Sequence, residues 1–278
     1  MNINKIAVIG HGMMGRGIIH SFAIHQFEII AIKKRSEDQR FHEYLKNEVE
    51  KTRISKADYN EILSKVTTTI DIEEAAECDL VIESISENIE EKSKLFSVLG
   101  EICKPEAILA TNTSSISIGK FGDLARRPDK IVGLHYMSPV PLMKLVEIIK
   151  TLETSEETIL TAVEITKRIS KIPIIVNDFP GFVSSRLVAS LINESANILM
   201  QGVADVESID NIAKLGLNLP VGPLQLADEV GLDVVINSID AMYQTYRDTK
   251  YCACPLIRRM VEAGYLGKKN GKGFYNYN

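Results

Sequence analysis

The sequence predicts an α/β fold in which a mainly parallel β-sheet domain precedes a smaller all-helical domain. Three observations predict this fold. Short β-rich runs alternate with helical patterns up to about residue 150, a glycine-rich turn follows the first run, and the patterns from residue 182 to residue 264 are helical. Strands that alternate with helices favour parallel pairing, because each crossover helix returns the chain to the same edge of the sheet.

The predicted strands of the first domain follow one another with room for a helix or turn between most of them. They lie at residues 6–9, 27–32, 65–70, 79–82, 107–110, 130–134 and 144–149. Ser155 then begins a helix through a Ser-x-x-Thr pattern, in which threonine stands where a capping box has an acid. Pro173 follows that helix and leads into a last strand at 174–176. We therefore expect one further αβ unit at the end of the sheet.

The character of the sequence changes after Pro180-Gly181, where we place the domain boundary. The predicted domains are a Rossmann-type dinucleotide-binding domain at 1–181 and an all-α domain for substrate binding and dimerisation at 182–278. A domain as small as this helical one cannot bury all of its apolar side chains in its own core. Examples of these apolar positions are Leu187, Val188, Leu191, Ile192, Ile198 and Leu199. This surplus predicts a homodimer, and the alternative is a monomer whose apolar positions pack against the first domain.

Composition excludes several classes of partner. The chain has 278 residues, 45% of them hydrophobic, and a formal net charge of -5 with no long basic run, so we expect no nucleic acid and no anionic membrane surface as partner. No apolar stretch reaches the roughly 18 residues that a membrane span needs, and no secretory signal precedes the first strand, which predicts a cytoplasmic protein. The four cysteines are expected to be reduced structural thiols without a metal.

The glycine-rich turn is the first chemical motif. Residues 10–15 read Gly-His-Gly-Met-Met-Gly directly after an apolar strand, and an apolar helical face follows. In this context Gly10 permits the tight turn, Gly12 lets the backbone approach a pyrophosphate, and Gly15 lets the helix pack on the strand, with Met13 and Met14 as further cofactor contacts. A glycine-rich turn in an unrelated α/β domain is the alternative, because the motif alone is weak evidence.

Several further motifs follow in order along nearly the whole chain. They are 110–115 (Ala-Thr-Asn-Thr-Ser-Ser), 127–130 (Arg-Pro-Asp-Lys), 133–139 (Gly-Leu-His-Tyr-Met-Ser-Pro), 144–147 (Lys-Leu-Val-Glu), 180–183 (Pro-Gly-Phe-Val), 192–194 (Ile-Asn-Glu), 222–224 (Gly-Pro-Leu) and 271–275 (Gly-Lys-Gly-Phe-Tyr). With them the chain resembles the short-chain L-3-hydroxyacyl-CoA dehydrogenases. The resemblance implies a nicotinamide cofactor and interconversion of an L-3-hydroxyacyl thioester, of the 3-hydroxybutyryl-CoA kind, with its 3-oxoacyl partner.

His135 and Glu147 are the candidate acid/base residues. Oxidation of a secondary alcohol needs a base for the hydroxyl proton, and histidine has an ordinary pKa that suits this task near neutrality. His135 lies at the end of an apolar strand, and Glu147 on the next strand could pair with the far ring nitrogen. A buried structural His–Glu pair is the alternative, although the family has its acid/base pair at both positions.

Other site residues are carried by the resemblance alone. It places a catalytic serine at Ser114, whose hydroxyl would bind the substrate 3-oxygen, whereas the residues alone favour a polar loop or a helix N-cap there. It also implies that Glu87, Lys92 and Lys269 contact the nicotinamide cofactor. On charge alone each of these three would be an ordinary solvated residue.

Two serines depart from the family pattern at positions that are expected to face the substrate. Ser138 stands where relatives usually have asparagine, in the motif His-Phe-Phe-Asn-Pro, and Ser185 also replaces a usual asparagine. Serine reaches less far than asparagine. The chain is therefore expected either to accept a different acyl group or to hold the usual one through bridging water.

A third departure concerns the cofactor. At the end of the second strand an NAD-binding member would have an acidic residue for the adenosine ribose, but this chain has Lys33, Lys34 and Arg35. Cations pair well with a 2′-phosphate. The sequence therefore predicts that NADP(H) is favoured over NAD(H). In the alternative the run is a basic surface loop and the ribose is held by backbone groups or by Ser36, Glu37 or Asp38.

Two other functions stay open at this point. The same chemistry could act on a hydroxyacyl group bound to an acyl carrier protein, as in relatives from polyketide extender-unit pathways. A non-catalytic protein could also reuse the fold, as the lens λ-crystallins reuse a related dehydrogenase. The presence of Ser114, His135 and Glu147 argues against this second possibility.

Overall fold

The computed structural model describes residues 3–277, which divide into two units. The first unit ends at Asp178 and the second begins at Phe179. The predicted boundary after Gly181 therefore lies three residues further along the chain than the observed division.

The first unit is built on one eight-stranded sheet. Its strands are β1 (Lys5–Ile9), β2 (Glu28–Ile32), β3 (Val66–Thr69), β4 (Leu80–Glu83), β5 (Ile108–Thr111), β6 (Ile131–Tyr136), β7 (Leu145–Lys150) and β8 (Ile172–Asn177). Its helices are α1 (Met13–Ala23), α2 (Arg40–Glu50), α3 (Lys56–Ser64), α4 (Ile89–Ile102), α5 (Gly119–Leu124) and α6 (Glu156–Arg168), with short 3-10 turns at Ile72–Ala75 and Pro128–Lys130.

The strand order is β3-β2-β1-β4-β5-β6-β7-β8. Every neighbouring pair is parallel except β6 and β7, which are antiparallel. The predicted mainly parallel sheet is therefore confirmed. After β3 the chain crosses back to the middle of the sheet, where β4 lies beside β1. The switch point between β1 and β4 opens a crevice at the carboxyl ends of the strands, where ligands bind in such sheets.

The core of this unit lies between the sheet and its helices. Strands β4, β5 and β6 are buried along their whole lengths, as expected for strands covered on both faces. Helix α1 contributes Ile18, Ile19 and Phe22 to the same apolar cluster, and α6 contributes Ile165. The Ser155 hydroxyl accepts a hydrogen bond from the Thr158 N–H at 3.2 Å and begins α6 as predicted.

The second unit is helical, as the sequence predicts. Its helices are α7 (Ser184–Met200), α8 (Val206–Gly216), α9 (Pro223–Val230), α10 (Leu232–Tyr246) and α11 (Pro255–Glu262), with 3-10 turns at Thr249–Tyr251 and Lys268–Asn270. Leu224, Leu232 and Ile257 lie fully buried in its apolar core.

Two buried aspartates attach the C-terminal segment to this unit. Asp210 accepts hydrogen bonds from the Leu224 N–H at 2.8 Å and the Tyr275 hydroxyl at 2.9 Å. Asp228 accepts from the Tyr275 N–H at 2.9 Å, and a Cβ added to Gly273 would lie 1.9 Å from a carboxylate oxygen of Asp228. Glycine at 273 is therefore required by close packing, which explains part of the motif at 271–275.

Within residues 3–277, no helix is both long and apolar enough to cross a bilayer. In the same residues, no three His, Cys, Asp or Glu side chains are grouped so that they could hold a metal ion. The four cysteines form no disulfide, and burial raises the pKa of Cys78 to about 12 and that of Cys103 to about 11. Both of these thiols are therefore protonated at neutral pH.

Candidate active site

The turn after β1 has the geometry that a dinucleotide requires. Gly10 has a φ of +115°, and a Cβ there would lie 2.3 Å from the Ser84 carbonyl oxygen at the end of β4. A Cβ on Gly15 would lie 1.9 Å from the Gly10 carbonyl oxygen. At Gly12, by contrast, nothing described lies within 4 Å of an added Cβ, and no side chain caps the N-terminus of α1. Backbone N–H groups and open space therefore meet where a pyrophosphate would bind, so these residues fit the cofactor.

The basic run lies at the carboxyl end of β2. The Lys33 ammonium donates to the Asp38 carbonyl oxygen at 3.0 Å, and Lys34 and Arg35 are exposed. The Asp38 carboxylate accepts from both the backbone N–H of Arg40 at 3.0 Å and its Nε at 2.9 Å. The guanidinium of Arg40 holds the pKa of this carboxyl well below its usual range. Asp38 is thus paired with a cation of its own loop.

Ser36 and Glu37 lie between the basic run and Asp38. Both are exposed, and the Ser36 hydroxyl donates to the Glu37 carboxylate at 3.1 Å. Glu37 is therefore the acidic side chain of this loop that is not paired with a cation in the described contacts.

A buried ion pair lies at the end of β4. The Lys92 ammonium on α4 lies 2.6 Å from Glu83 Oε1, and both side chains are about 1% exposed or less. Glu83 also accepts hydrogen bonds from the Ile85 N–H at 2.7 Å and from the Thr111 hydroxyl at 2.6 Å. The same ammonium lies 3.2 Å from Glu87 Oε2. One buried cation therefore holds two carboxylates beside the crevice.

Glu87 in turn organises the loop after β5. Its Oε1 accepts hydrogen bonds from the Ser114 N–H at 3.2 Å, the Ser115 hydroxyl at 3.3 Å and the Thr113 hydroxyl. Ser114 is half-buried in this loop. The structure thus brings together Glu87, Lys92 and the backbone of Ser114, which the sequence analysis singled out separately.

The same loop is joined to β6 next to His135. The Asn112 side-chain oxygen accepts a hydrogen bond from the Tyr136 N–H at 2.9 Å. The loop that carries Ser114 and the end of the strand that carries His135 are therefore held in one part of the sheet.

His135 and Glu147 are partners across the antiparallel pair β6–β7. His135 Nδ1 lies 2.7 Å from Glu147 Oε2, and the two residues are 8% and 2% exposed. Because an ionised carboxylate only accepts hydrogen bonds, Nδ1 carries the proton and Nε2 has the lone pair. The geometry produces an imidazole whose tautomer and ring orientation are set by a buried carboxylate.

The remaining predicted residues lie in two places. The hydroxyl of Ser138 donates to the sulfur of Met13 at 3.9 Å, so Ser138 lies beside the dinucleotide turn, where Met13 is 66% exposed. Ser185 and Lys269 belong to the helical unit. Ser185 lies in the first turn of α7, and the Lys269 ammonium pairs with Asp233 at 2.6 Å.

Sequence reasoning missed two residues that organise the site, Glu83 and Asn112. Glu83 ends the otherwise apolar strand β4, and an acid at that point of a parallel sheet is a signal that could have identified it. Asn112 follows β5 directly, in a motif that the analysis quoted without a role for the amide. Both act by holding other site residues in place.

Comparison with known proteins adds to this geometry. The chain matches the family model of the 3-hydroxyacyl-CoA dehydrogenase NAD binding domain over residues 5–179 and that of the C-terminal domain over residues 181–277. It is 43% identical over 280 residues to a 3-hydroxybutyryl-CoA dehydrogenase of Clostridioides difficile, with 99% of each chain covered. It is 39% identical over 280 residues to that of Bradyrhizobium diazoefficiens, with 99% of this chain and 96% of the relative covered.

Among solved structures, the chain is similar to the (S)-3-hydroxybutyryl-CoA dehydrogenase PaaH1 of Ralstonia eutropha. The TM-score is 0.93 and the sequence identity is 35%, with all of both chains covered.

Replacement of Lys92 by methionine tests the buried ion pair. We expect Lys92→Met to lower the free energy of unfolding by about 3 kcal/mol, because Glu83 would lose its counter-charge in a buried place. Lys130→Met is the matched control, since its partner Glu157 is 61% exposed, and it should change stability little. Urea unfolding followed by circular dichroism measures both. Adding Glu83→Gln to Lys92→Met should recover part of the loss, and a Lys92→Met protein as stable as the wild type would contradict the interpretation.

Proposed function

The chain belongs to the 3-hydroxyacyl-CoA dehydrogenase family, and from this premise we propose that it interconverts a short-chain L-3-hydroxyacyl-CoA and the matching 3-oxoacyl-CoA. The observation that carries the proposal is the buried hydrogen bond between His135 and Glu147. The relatives named 3-hydroxybutyryl-CoA dehydrogenases support a four-carbon acyl group and a CoA carrier.

His135 is the proposed base. Its Nε2, which carries the lone pair, takes the proton of the substrate 3-hydroxyl in the oxidation and returns it to the 3-oxygen in the reduction. Glu147 holds the opposite ring nitrogen and stabilises the imidazolium that forms in the oxidation. A nicotinamide held at the turn after β1 would supply or accept the hydride at the substrate C3.

The hydroxyl of Ser114 is the proposed donor to the substrate 3-oxygen, which gains negative charge as the carbonyl is reduced. The hydrogen bonds that Glu87 accepts from the backbone of Ser114 and from its neighbours support this role, because they hold the loop in one conformation. Ser138 beside Met13, and Ser185 on α7, are proposed as substrate contacts in place of the usual asparagines.

NADP(H) is the proposed preferred cofactor. The uncapped N-terminus of α1 and the open space at Gly12 support a dinucleotide. The cations of Lys33, Lys34 and Arg35 follow β2, where the ribose-binding acid of an NAD enzyme would lie, and the nearby Asp38 is already paired with Arg40. This arrangement favours a 2′-phosphate over a 2′-hydroxyl.

The acid/base assignment is tested by the rate of acetoacetyl-CoA reduction. His135→Ala should lower kcat by about 10²- to 10⁴-fold, because the proton donor is lost.

Glu147→Gln removes the charge that stabilises the imidazolium, so kcat for the reduction should fall while KM changes little. Glu153→Gln, at an exposed glutamate after β7, is the control and should leave kcat unchanged. A Glu147→Gln enzyme with the kcat of the wild type would contradict the assignment.

The cofactor preference is tested by exchanging the charge after β2. Lys33→Asp introduces the acid that an NAD enzyme has there, so the ratio of kcat/KM for NADPH to that for NADH should fall by about tenfold or more. Initial rates with both cofactors at fixed acetoacetyl-CoA measure this ratio. The exposed Lys46→Asp serves as a charge-matched control on α2, and an unchanged ratio in Lys33→Asp would count against the assignment.

A homodimer through the helical unit is also proposed, although the structure changes its basis. Of the six residues that predicted it, Ile192 is buried in the core of its own unit, Val188, Leu191, Ile198 and Leu199 are half-buried, and Leu187 is 68% exposed. The other exposed apolar side chains of this unit include Val203, Ile212, Leu215 and Leu217. Their exposure is the observation that now supports a partner subunit. Light scattering at micromolar concentration should give a dimer mass, and a monomer mass would overturn the proposal.

A further inference from the structure

His11 lies inside the dinucleotide turn, between Gly10 and Gly12. The residue is only 4% exposed. Within residues 3–277, neither nitrogen of its ring has a hydrogen-bond partner. Buried polar atoms are nearly always hydrogen-bonded, so two unpaired nitrogens on one ring call for an explanation. By contrast, His25, which follows α1, has partners for both nitrogens, the Ser21 carbonyl oxygen and the Ser170 hydroxyl.

The surroundings of His11 are positively charged. Lys33, Arg16 and Arg40 lie near enough to lower its pKa, and Asp38 raises it. Three cations and one carboxylate leave an excess of two positive charges around the ring. Burial is the largest effect and lowers the pKa of His11 to about 4, so the imidazole is neutral at pH 7, with one nitrogen that can donate and one that can accept.

The two arginines of this cluster are not neutralised equally. The Arg40 guanidinium binds Asp38, but Nε of Arg16 is buried without a partner. Arg16 also donates to the Arg40 carbonyl oxygen at 3.3 Å, and burial, followed by the charge of Arg40, lowers the pKa of Arg16. An anion placed in this cluster would relieve the repulsion between the cations and supply the missing acceptor.

The position of the cluster indicates which anion it would bind. Ile9 and Ile32 are register partners at the ends of the parallel strands β1 and β2, so His11 and Lys33 follow the same end of the sheet. In dinucleotide-binding sheets the adenosine ribose lies at the end of this second strand. We propose that His11, together with Lys33, Arg16 and Arg40, forms a subsite for the 2′-phosphate of the adenosine ribose, with His11 as its specificity-determining residue. This inference rests on the proposed preference for NADP(H).

Nucleotide binding tests the subsite without catalysis. We would titrate the purified protein with adenosine 2′,5′-bisphosphate (2′,5′-ADP), which carries the 2′-phosphate, and with AMP, which differs from it only in lacking that phosphate, by isothermal calorimetry. The wild type should bind 2′,5′-ADP at least about tenfold more tightly than AMP. His11→Ala should reduce this preference by about tenfold while the affinity for AMP stays within about twofold, because only the contact to the 2′-phosphate is lost.

Two variants make the result specific. His11→Gln supplies an amide that can both donate and accept, and it should retain more of the preference than His11→Ala. His25→Ala removes a histidine whose nitrogens are already paired, and it should leave the preference unchanged. If His11→Ala does not fold, the comparison of His11→Gln with the wild type still decides the question. A His11→Gln protein that keeps the full preference for the 2′-phosphate but binds both nucleotides more weakly by the same factor would show that His11 has a structural role.

Three outcomes would overturn the inference. Equal affinity of the wild type for both nucleotides would exclude a 2′-phosphate subsite, while acetoacetyl-CoA reduction with NADH would show separately whether the dehydrogenase function stands. Equal weakening of both nucleotides by His11→Ala would mean that His11 only shapes the turn. Inorganic phosphate that bound as tightly as 2′,5′-ADP would indicate a simple anion site and no recognition of a nucleotide.

Discussion

The rest of the site depends on one buried ammonium group, that of Lys92. It lies between Glu83, which ends β4, and Glu87, which accepts hydrogen bonds from the loop that carries Ser114. A buried cation with a single carboxylate would be costly to maintain, and the second carboxylate and the hydrogen bonds to Glu83 offset that cost. The ammonium therefore links the switch point of the sheet to the loop after β5.

The two halves of the crevice use charge in different ways. Beside Lys92 each charged group has a partner close by, since the one ammonium is shared by two carboxylates. Beside His11 the cations outnumber the carboxylates, and two ring nitrogens and one guanidinium nitrogen are buried without partners in the described chain. A complete network suits a part of the site that must hold its shape. An incomplete one suits a place where a ligand supplies the missing group.

Much of the fold could be predicted because its signals are local. The hydroxyl of Ser155 caps α6 through a contact three residues away, and the glycines at 10 and 15 are needed for close approaches within the turn itself. The structure changes the basis of one prediction, that of a homodimer through apolar positions on α7. A helical pattern shows that Ile192 is apolar, but whether it packs inside its own unit depends on residues far away in sequence, such as Leu224 and Leu232.

The sequence by itself determined the α/β class, the helical second unit, the family and the identity of the charged residues after β2. Periodicity, turn residues and the order of the motifs are local features, so they can be read directly from the sequence. It also suggested that His135 and Glu147 could meet, because they lie on two strands that follow one another in the sequence. Only the tertiary structure decided that these strands are antiparallel, which makes the two residues register partners 2.7 Å apart at their side chains. Only the structure could show that Glu83 is the counter-ion of Lys92 and that His11 is buried among cations. Such contacts arise from the packing of elements distant in sequence, and no local pattern specifies them.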